Sequence, residues 1–413
     1  MLRMERSNRT ASGAALGGRL ALSLMLLAGS LSVQAAVCRV TFLGSDGSDG
    51  SSWADAMDLP TALADDDCGE IWVKSEAGKS YKPGVERNTS FRVERELELY
   101  GGFAGTETRR DERDPDASPT VLSGNIGNPN DSADNSYHVL RVDGTTRNDP
   151  ITNNTVIDGF TIEGGNADGA LPSAGYGGGL YCDGGGATHE CSPTLRNITF
   201  SGNSASDFGG AVYNDGSSGG ASSPVLINVT FSGNNADNKG GAMYNNGKAG
   251  RSSPALINVT FSNNSSGEGG GMYNQGEDNG SSKPELTNVI VWGNTAAIAG
   301  SEIFNSAATP RISHSVIQGS GGSSSWDSGL GDDLGGNLDA DPMLGPLQDN
   351  GGSTHTMLPD ADGSAIDAGD DNACPTTDQR GVARPQGTAC DIGAVELVAG
   401  QSGGIVFEDR FEQ

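Results

Sequence analysis

The chain has 413 residues, 53 Asp and Glu against 25 Lys and Arg, and a formal net charge of −28. Glycine fills 64 positions, about twice its usual share. Each glycine inside a helix costs about 1 kcal/mol, so this composition points away from a helical protein and towards an all-β or repetitive one. The acidic balance argues against nucleic acid and anionic lipid as partners, because both are bound by clustered Lys and Arg.

Residues 1–35 read as an export leader. Arg3, Arg6, Arg9 and Arg19 precede an apolar run from Leu20 to Val33, and Val33-Gln34-Ala35 places cleavage near Ala35. The run is too short to span a membrane comfortably, and Val37 before Cys38 argues against a lipoprotein. Removing those four arginines and Glu5 leaves 21 basic against 52 acidic residues, a balance of −31. No second long apolar run follows, so the mature chain is expected to carry no membrane-spanning segment and to be secreted or held at the cell surface. Six cysteines remain, Cys38, Cys68, Cys182, Cys191, Cys374 and Cys390. An even count in an exported chain implies disulfides, with 15 possible pairings. Zinc is disfavoured, since no C-x-x-C pair exists and the four histidines are scattered.

A repeat then sets the architecture. It reads SPTLRNITFSGNSA from Ser192, SPVLINVTFSGNNA from Ser223, SPALINVTFSNNSS from Ser253 and KPELTNVIVWGNTA from Lys283. Each copy is followed by GGAVYN, GGAMYN, GGGMYN or the degraded GSEIFN. Asn197, Asn228, Asn258 and Asn288 mark a period of about 30 residues, the signature of a solenoid. Val229 and Phe231, two apart, share a strand face, whereas Leu226 is three from Val229. The chain therefore bends at Asn228, and Leu226, Val229 and Phe231 point inward. Arg196, Ile227, Ile257 and Thr287 occupy one outward position. Tyr213, Tyr244 and Tyr273 are expected to stack in a column. Asn forms three columns, 197/228/258/288, 203/234/264/294 and 214/245/274/305, read as structural hydrogen-bond ladders. Weaker rungs flank the repeat at Val156–Ala167 and Arg311–Ser320, and His314 takes the bend position of Asn in the latter. Cys182 and Cys191 occupy the two ends of one protruding loop, which pairs them. Cys38–Cys68 and Cys374–Cys390 follow by proximity in sequence.

Upstream, Trp53, Ala56, Leu59 and Leu63 have helical spacing, with Pro60 tolerated at a helix start. Ile71-Trp72-Val73 reads as the first strand, and the short helix before it as a cap for the open coil end. The opening GSSWADAM…LADDDCGEIWVKSEAGKSYKP resembles secreted right-handed parallel β-helix proteins, as do LYGGFAGTETRRDERDP at Leu99–Pro115, NSYHVL at Asn135–Leu140 and VIDGFTIEGGNA. The GG-A-[VM]-YN units are similar to polymorphic outer membrane protein repeats, and residues 337–397 resemble a choice-of-anchor (type Q) C-terminal domain. The resemblance implies an all-β, pectate-lyase-like solenoid with a short N-terminal capping helix and a small C-terminal β/loop domain. The expected boundaries are a leader at 1–35, a cap at 36–70, the β-helix at 71–325, the C-terminal domain at 326–398, and a linker with an acidic tail at 399–413.

The architecture hosts lyases, hydrolases and adhesins alike. Similar β-helix lyases abstract a proton with Arg or Lys and hold calcium with Asp; related hydrolases use clustered Asp. Neither N-T-D nor G-H-G occurs here. The basic residues of the repeats are Arg196 on an outward strand position, Lys239 in a turn, and Lys248, Arg251 and Lys283 in the variable loop. None stands beside a fixed carboxylate cluster. Asp46/Asp49, Asp65–Asp67, Asp332/Asp333, Asp339/Asp341 and Asp370/Asp371 are acidic loop clusters, but none matches an EF-hand or a nonapeptide array. No catalytic or metal-binding residue is assigned, and no cofactor beyond the open case of loop-bound calcium. The expectation is a non-catalytic surface protein that contacts carbohydrate or a partner along the solenoid flank. A polysaccharide lyase or glycoside hydrolase, and a structural surface filament, are the alternatives.

Overall fold

The computed structural model describes residues 36–403 apart from Asn148. The expected leader, residues 1–35, and the end of the acidic tail, from residue 404, lie outside the described residues. The architecture is the expected right-handed parallel β-helix, in which successive coils add strands to three parallel sheets. Thr194–Ser201, Val225–Ser232 and Ala255–Ser262 lie in the longest sheet. Leu180–Asp183, Val212–Asp215, Met243–Asn246, Met272–Gln275 and Ile303–Ser306 form most of the second. Ser204–Ala205, Asn235–Lys239, Ser265–Glu268 and Thr295–Ala299 lie in the third.

Register follows the repeat. Leu195, Leu226, Leu256, Leu286 and Ile312 stand above one another, as do Phe200, Phe231 and Phe261. These side chains are fully buried, and the Phe rings stack with centroids 4.9 and 4.6 Å apart. The bend is a left-handed residue. Asn197, Asn228, Asn258 and Asn288 have φ between 51° and 57°, and His314, in their place one coil on, has φ 45°. Asn tolerates this region because its short side chain can bond locally. One coil earlier the same corner is Gly159, φ 86°, opposite Asn197.

Two Asn columns run unbroken inside the coil. Asn203 Nδ2 donates to Asn234 Oδ1 at 3.1 Å, Asn234 to Asn264 at 2.9 Å and Asn264 to Asn294 at 2.8 Å. Asn214 likewise donates to Asn245, Asn245 to Asn274 and Asn274 to Asn305, at 2.8 to 2.9 Å. The corner column is interrupted. Asn228 donates to Asn197 and Asn288 to Asn258, both at 3.3 Å, while Asn228 and Asn258 also donate to carbonyls of the C-terminal segment. The tyrosines stack outside the coil: Tyr181, Tyr213, Tyr244, Tyr273 and Phe304 form one column on the second sheet, with centroids 5.0 to 5.3 Å apart.

Several expectations are corrected. Ile71–Val73 is not in the first strand. Ala36–Val40 precedes it, pairs in parallel with Cys68–Lys74 and is tied to it by the Cys38–Cys68 disulfide. The Trp53–Leu63 spacing resolves into a 3-10 turn at Trp53–Asp55 and a helix at Leu59–Ala64, capped by Asp58 Oδ1 accepting from Thr61 N at 2.8 Å. Lys239 ends a strand rather than occupying a turn. The boundary at 326 falls inside the coil, because Trp326 and Leu330 pack on the end of the core and Asp332–Asp333 pair with Arg311 and Ile312.

The C-terminal segment does not simply follow the solenoid; it folds back over it. Gln379 Nε2 donates to Thr199 Oγ1 at 2.8 Å and its Oε1 accepts from Thr230 Oγ1 at 2.7 Å. Ala394 N donates to Thr260 Oγ1 at 3.1 Å. Thr199, Thr230 and Thr260 point outward on three consecutive coils yet are buried, because residues 354–394 cover them. Disulfides Cys182–Cys191 and Cys374–Cys390 close a loop of the coil and brace this covering segment. Among the described residues no helix is long and apolar enough to cross a membrane.

Candidate functional site

One open concave surface lined by charged side chains lies where the edge of the covering segment meets the early coils. A trench of about 760 Å³ is bordered by Ser75–Ser80 and Ala117–Pro119, and opens at Pro119, Val121 and Glu163 into a hollow of about 200 Å³. The hollow is walled by Thr161 and Ser201 on one side and by Asp349 and Ser353–His355 on the other. Asp116 Oδ1 accepts from Gly352 N at 2.7 Å, and His355 O accepts from Thr199 Oγ1 at 2.6 Å, so both walls are tied down.

Glu163 ends the strand Phe160–Glu163, facing outward between buried Ile162 and the Gly164-Gly165 turn. It is half-buried, and burial raises its carboxyl above the usual range while nearby His355 acts in the opposite sense. The hollow therefore holds a carboxyl that keeps its proton more tightly than usual together with an imidazole on its rim.

A second polar track lies on the second sheet. Arg92 pairs with Asp143 at 3.0 Å, and Arg141 with Asp143 at 3.1 Å and Asp183 at 2.7 Å. Asp143, Asp183 and Asp215 stand in register on consecutive coils. Burial, with the neighbouring Asp143 and Asp215, raises Asp183 to about 6 against the pull of Arg141. These arginines face carboxylates, but they are engaged in neutralising them.

The residues singled out from sequence do not assemble into this site. The six cysteines form three disulfides, the corner asparagines bond to one another and to the covering segment, and His314 sits at the last corner. Among the described residues no group of three or more His, Cys, Asp or Glu is placed to hold a metal. Glu163 and His355 escaped the sequence reading. Glu163 did leave a signal: it occupies the register position of Ser201, Ser232 and Ser262, a lone acid in a column of serines. His355 left none, because its neighbour lies 192 residues away in the chain.

No curated protein and no solved structure matches the chain. Residues 197–215, the part of one coil that runs from the bend Asn197 to Asp215, match the Chlamydia polymorphic membrane protein repeat.

Proposed function

We propose that this is an exported, surface-displayed β-helix that binds extracellular carbohydrate without cutting it, in the trench at Glu163 rather than along the Thr-bearing flank. The lining of the hollow carries this reading. Thr161, Ser201, Ser353 and Thr354 offer hydroxyls beside Asp116, Glu163 and Asp349, with His355 the one basic side chain. Such groups exchange hydrogen bonds with sugar hydroxyls, and their acidic excess repels polyuronate. Neutral or amine-bearing glycans are the class that fits. The match at residues 197–215 supports a surface location.

One observation favours a second reading, a glycoside hydrolase: the raised Glu163 carboxyl shares its hollow with Asp116 and Asp349, and glycoside hydrolysis uses two carboxyl groups. One experiment separates the readings. Purified protein is incubated with neutral, amino and uronate glycans, alongside S201W, which fills the hollow, and E163Q. Saturable binding that S201W abolishes without a change in melting temperature, and no new reducing ends, is the expected result. Reducing ends lost in E163Q would replace binding with hydrolysis. Absence of both binding and product would leave a structural filament.

A further inference from the structure

The third sheet ends on a strand with one open side. Thr295–Ala299 pairs with Ser265–Glu268, and among the described residues no strand pairs with its other edge. In a parallel ladder successive residues face opposite neighbours. Thr295 N donates back to Asn264 O, so Asn294 and Ala296 face forward. Glu302 Oε1 accepts Asn294 N at 3.2 Å, which leaves the N–H and C=O of Ala296 on the open side. There Asn294, residues 300–305, Gln318 and Leu330 line a groove of about 510 Å³. The groove exists because the chain leaves the coil at this level. Gly293 and Gly319 hold equivalent corners, with φ 74° and 76°. Gly293 leads into the third sheet, whereas after Gly319 the chain turns aside and Ser323 N donates to Asn337 O. We propose that residues 404–413 of this same chain add to the open edge as a strand, with Ile405, Val406 and Phe407 laid along Thr295–Ala299.

The composition of this edge is that of a covered strand. Edges left in water are protected by charged side chains or proline. The preceding strands of the sheet carry Asp237 and Lys239, then Glu268. The last reads Thr-Ala-Ala-Ile-Ala, without a charge, and its Ile298 is 76% exposed. The inward column of the sheet shows the same gap. Ala167, Ala205, Ala236 and Ser266 are buried, whereas Ala296 at the end of the column is only half-buried.

Chain path and sequence select the occupant. Of the two terminal stretches outside the described residues, 1–35 reads as a leader, and 404–413 remains. It reads Gly-Ile-Val-Phe-Glu-Asp-Arg-Phe-Glu-Gln. Three residues that favour strands come first. Glu408, Asp409, Arg410 and Glu412 follow and would give the new edge the charged protection that the old one lacks. The starting point is close. Gly403 N donates to Pro359 O at 3.2 Å, and Pro359 pairs with Leu344. Leu344 and Trp292 pack on the same cluster, which contains Ile290 and Val316. Thr295 lies three residues beyond Trp292, at most about 11 Å of chain, whereas ten extended residues reach about 33 Å. An extended segment added to a sheet edge is held by main-chain hydrogen bonds, and the free N–H and C=O of Ala296 supply them here.

The test uses the full mature chain. Hydrogen exchange at the Ala296 amide is compared between the wild type and V406P, whose proline breaks a strand in the added segment. Ala296 should exchange at least about tenfold more slowly in the wild type, while the buried amide of Val229 is unchanged. A photoreactive phenylalanine analogue in place of Phe407 should cross-link within residues 294–305. Three outcomes would overturn the proposal. Ala296 may exchange equally fast in both proteins, which leaves the edge in water. Cross-links may fall only elsewhere on the chain, which gives the segment another seat. Sedimentation may show a dimer that A296P dissolves and V406P does not, which assigns the edge to a second copy.

Discussion

Glu302 stands where earlier coils carry Ala211, Ala242 and Gly271, and it terminates a hydrogen-bonded chain. In the column 203/234/264/294 every amide donates towards the C-terminal end, so the last donor, Asn294 Nδ2, needs an acceptor where no further Asn follows. Glu302 Oε2 accepts it at 2.5 Å, and Oε1 accepts Asn294 N at 3.2 Å. The corner column runs the other way and also ends on an acid, with Asn197 Nδ2 donating to Asp158 Oδ1 at 3.0 Å. Burial raises Glu302 from 4.5 to about 7, outweighing the Asn294 bonds. Because the folded value lies above the unfolded one, its contribution to stability is full below about pH 4.5 and is lost as pH rises through about 7. Melting temperature should therefore decline across that window more steeply in the wild type than in E302Q, with the comparison cancelling Asp183 and Asp391, which lie in both proteins. Within the ladder, Asn234→Ala would remove the acceptor of Asn203 N, leave Asn203 Nδ2 with Ile162 O alone and take one donor from Phe200 O, a cost of about 1–3 kcal/mol for a buried group left unpaired. Denaturant unfolding measures it.

At the scale of the strand, the alternation broken at Asn228 proved the most informative feature of the sequence. It separates an inward Leu-Val-Phe set, fully buried, from outward positions such as Arg196, which is exposed. Phe231→Ala should cost about 3–5 kcal/mol because stacked Phe200 and Phe261 hold the cavity open. A loss under about 1 kcal/mol would refute that packing. The corner makes a second, backbone prediction. Asn228→Ala should destabilise more than Asn228→Gly, since both lose the bonds to Asn197 and Thr377 but only Ala is strained at φ 55°. Equal losses in thermal denaturation would place the cost in the hydrogen bonds alone. The first strand was illegible for an equally local reason: Ala36–Val40 begins directly after the stretch read as a leader, and its five residues carry little pattern until Cys38 and Val40 are seen buried against the neighbouring strand.

For the whole molecule, the decisive contact is between the coil and its own C-terminal segment. Within that segment two ion pairs almost without solvent brace its own fold, Arg384 with Glu396 at 3.0 Å and Arg380 with Asp378 at 2.9 Å. Burial raises the adjoining Asp391 to about 6, while Arg384 is lowered by the same burial. Removing one partner strands the other charge, so Glu396→Ala should cost about 3–5 kcal/mol and expose the segment to limited proteolysis ahead of the coil. Simultaneous loss of coil and segment would instead show that they unfold as one unit. The segment covers the Thr-bearing flank, and its edge at Asp349–His355 forms one wall of the hollow at Glu163, which is how that hollow arises.

The sequence by itself determined the coil: its period, its inward residues, its bend and its parallel stacking all follow from local alternation repeated every thirty residues, and each repeat needs only its neighbours. It also held the marks of exceptional positions, an acid among serines at 163 and an acid among small residues at 302, whose meaning depends on register. Only the tertiary structure decided which faces are open. The contact of Gln379 with Thr199 and Thr230, like the meeting of Glu163 and His355, joins residues some 150 to 190 positions apart. Such contacts carry no periodic signature, because they are made once, by an irregular segment against a regular one.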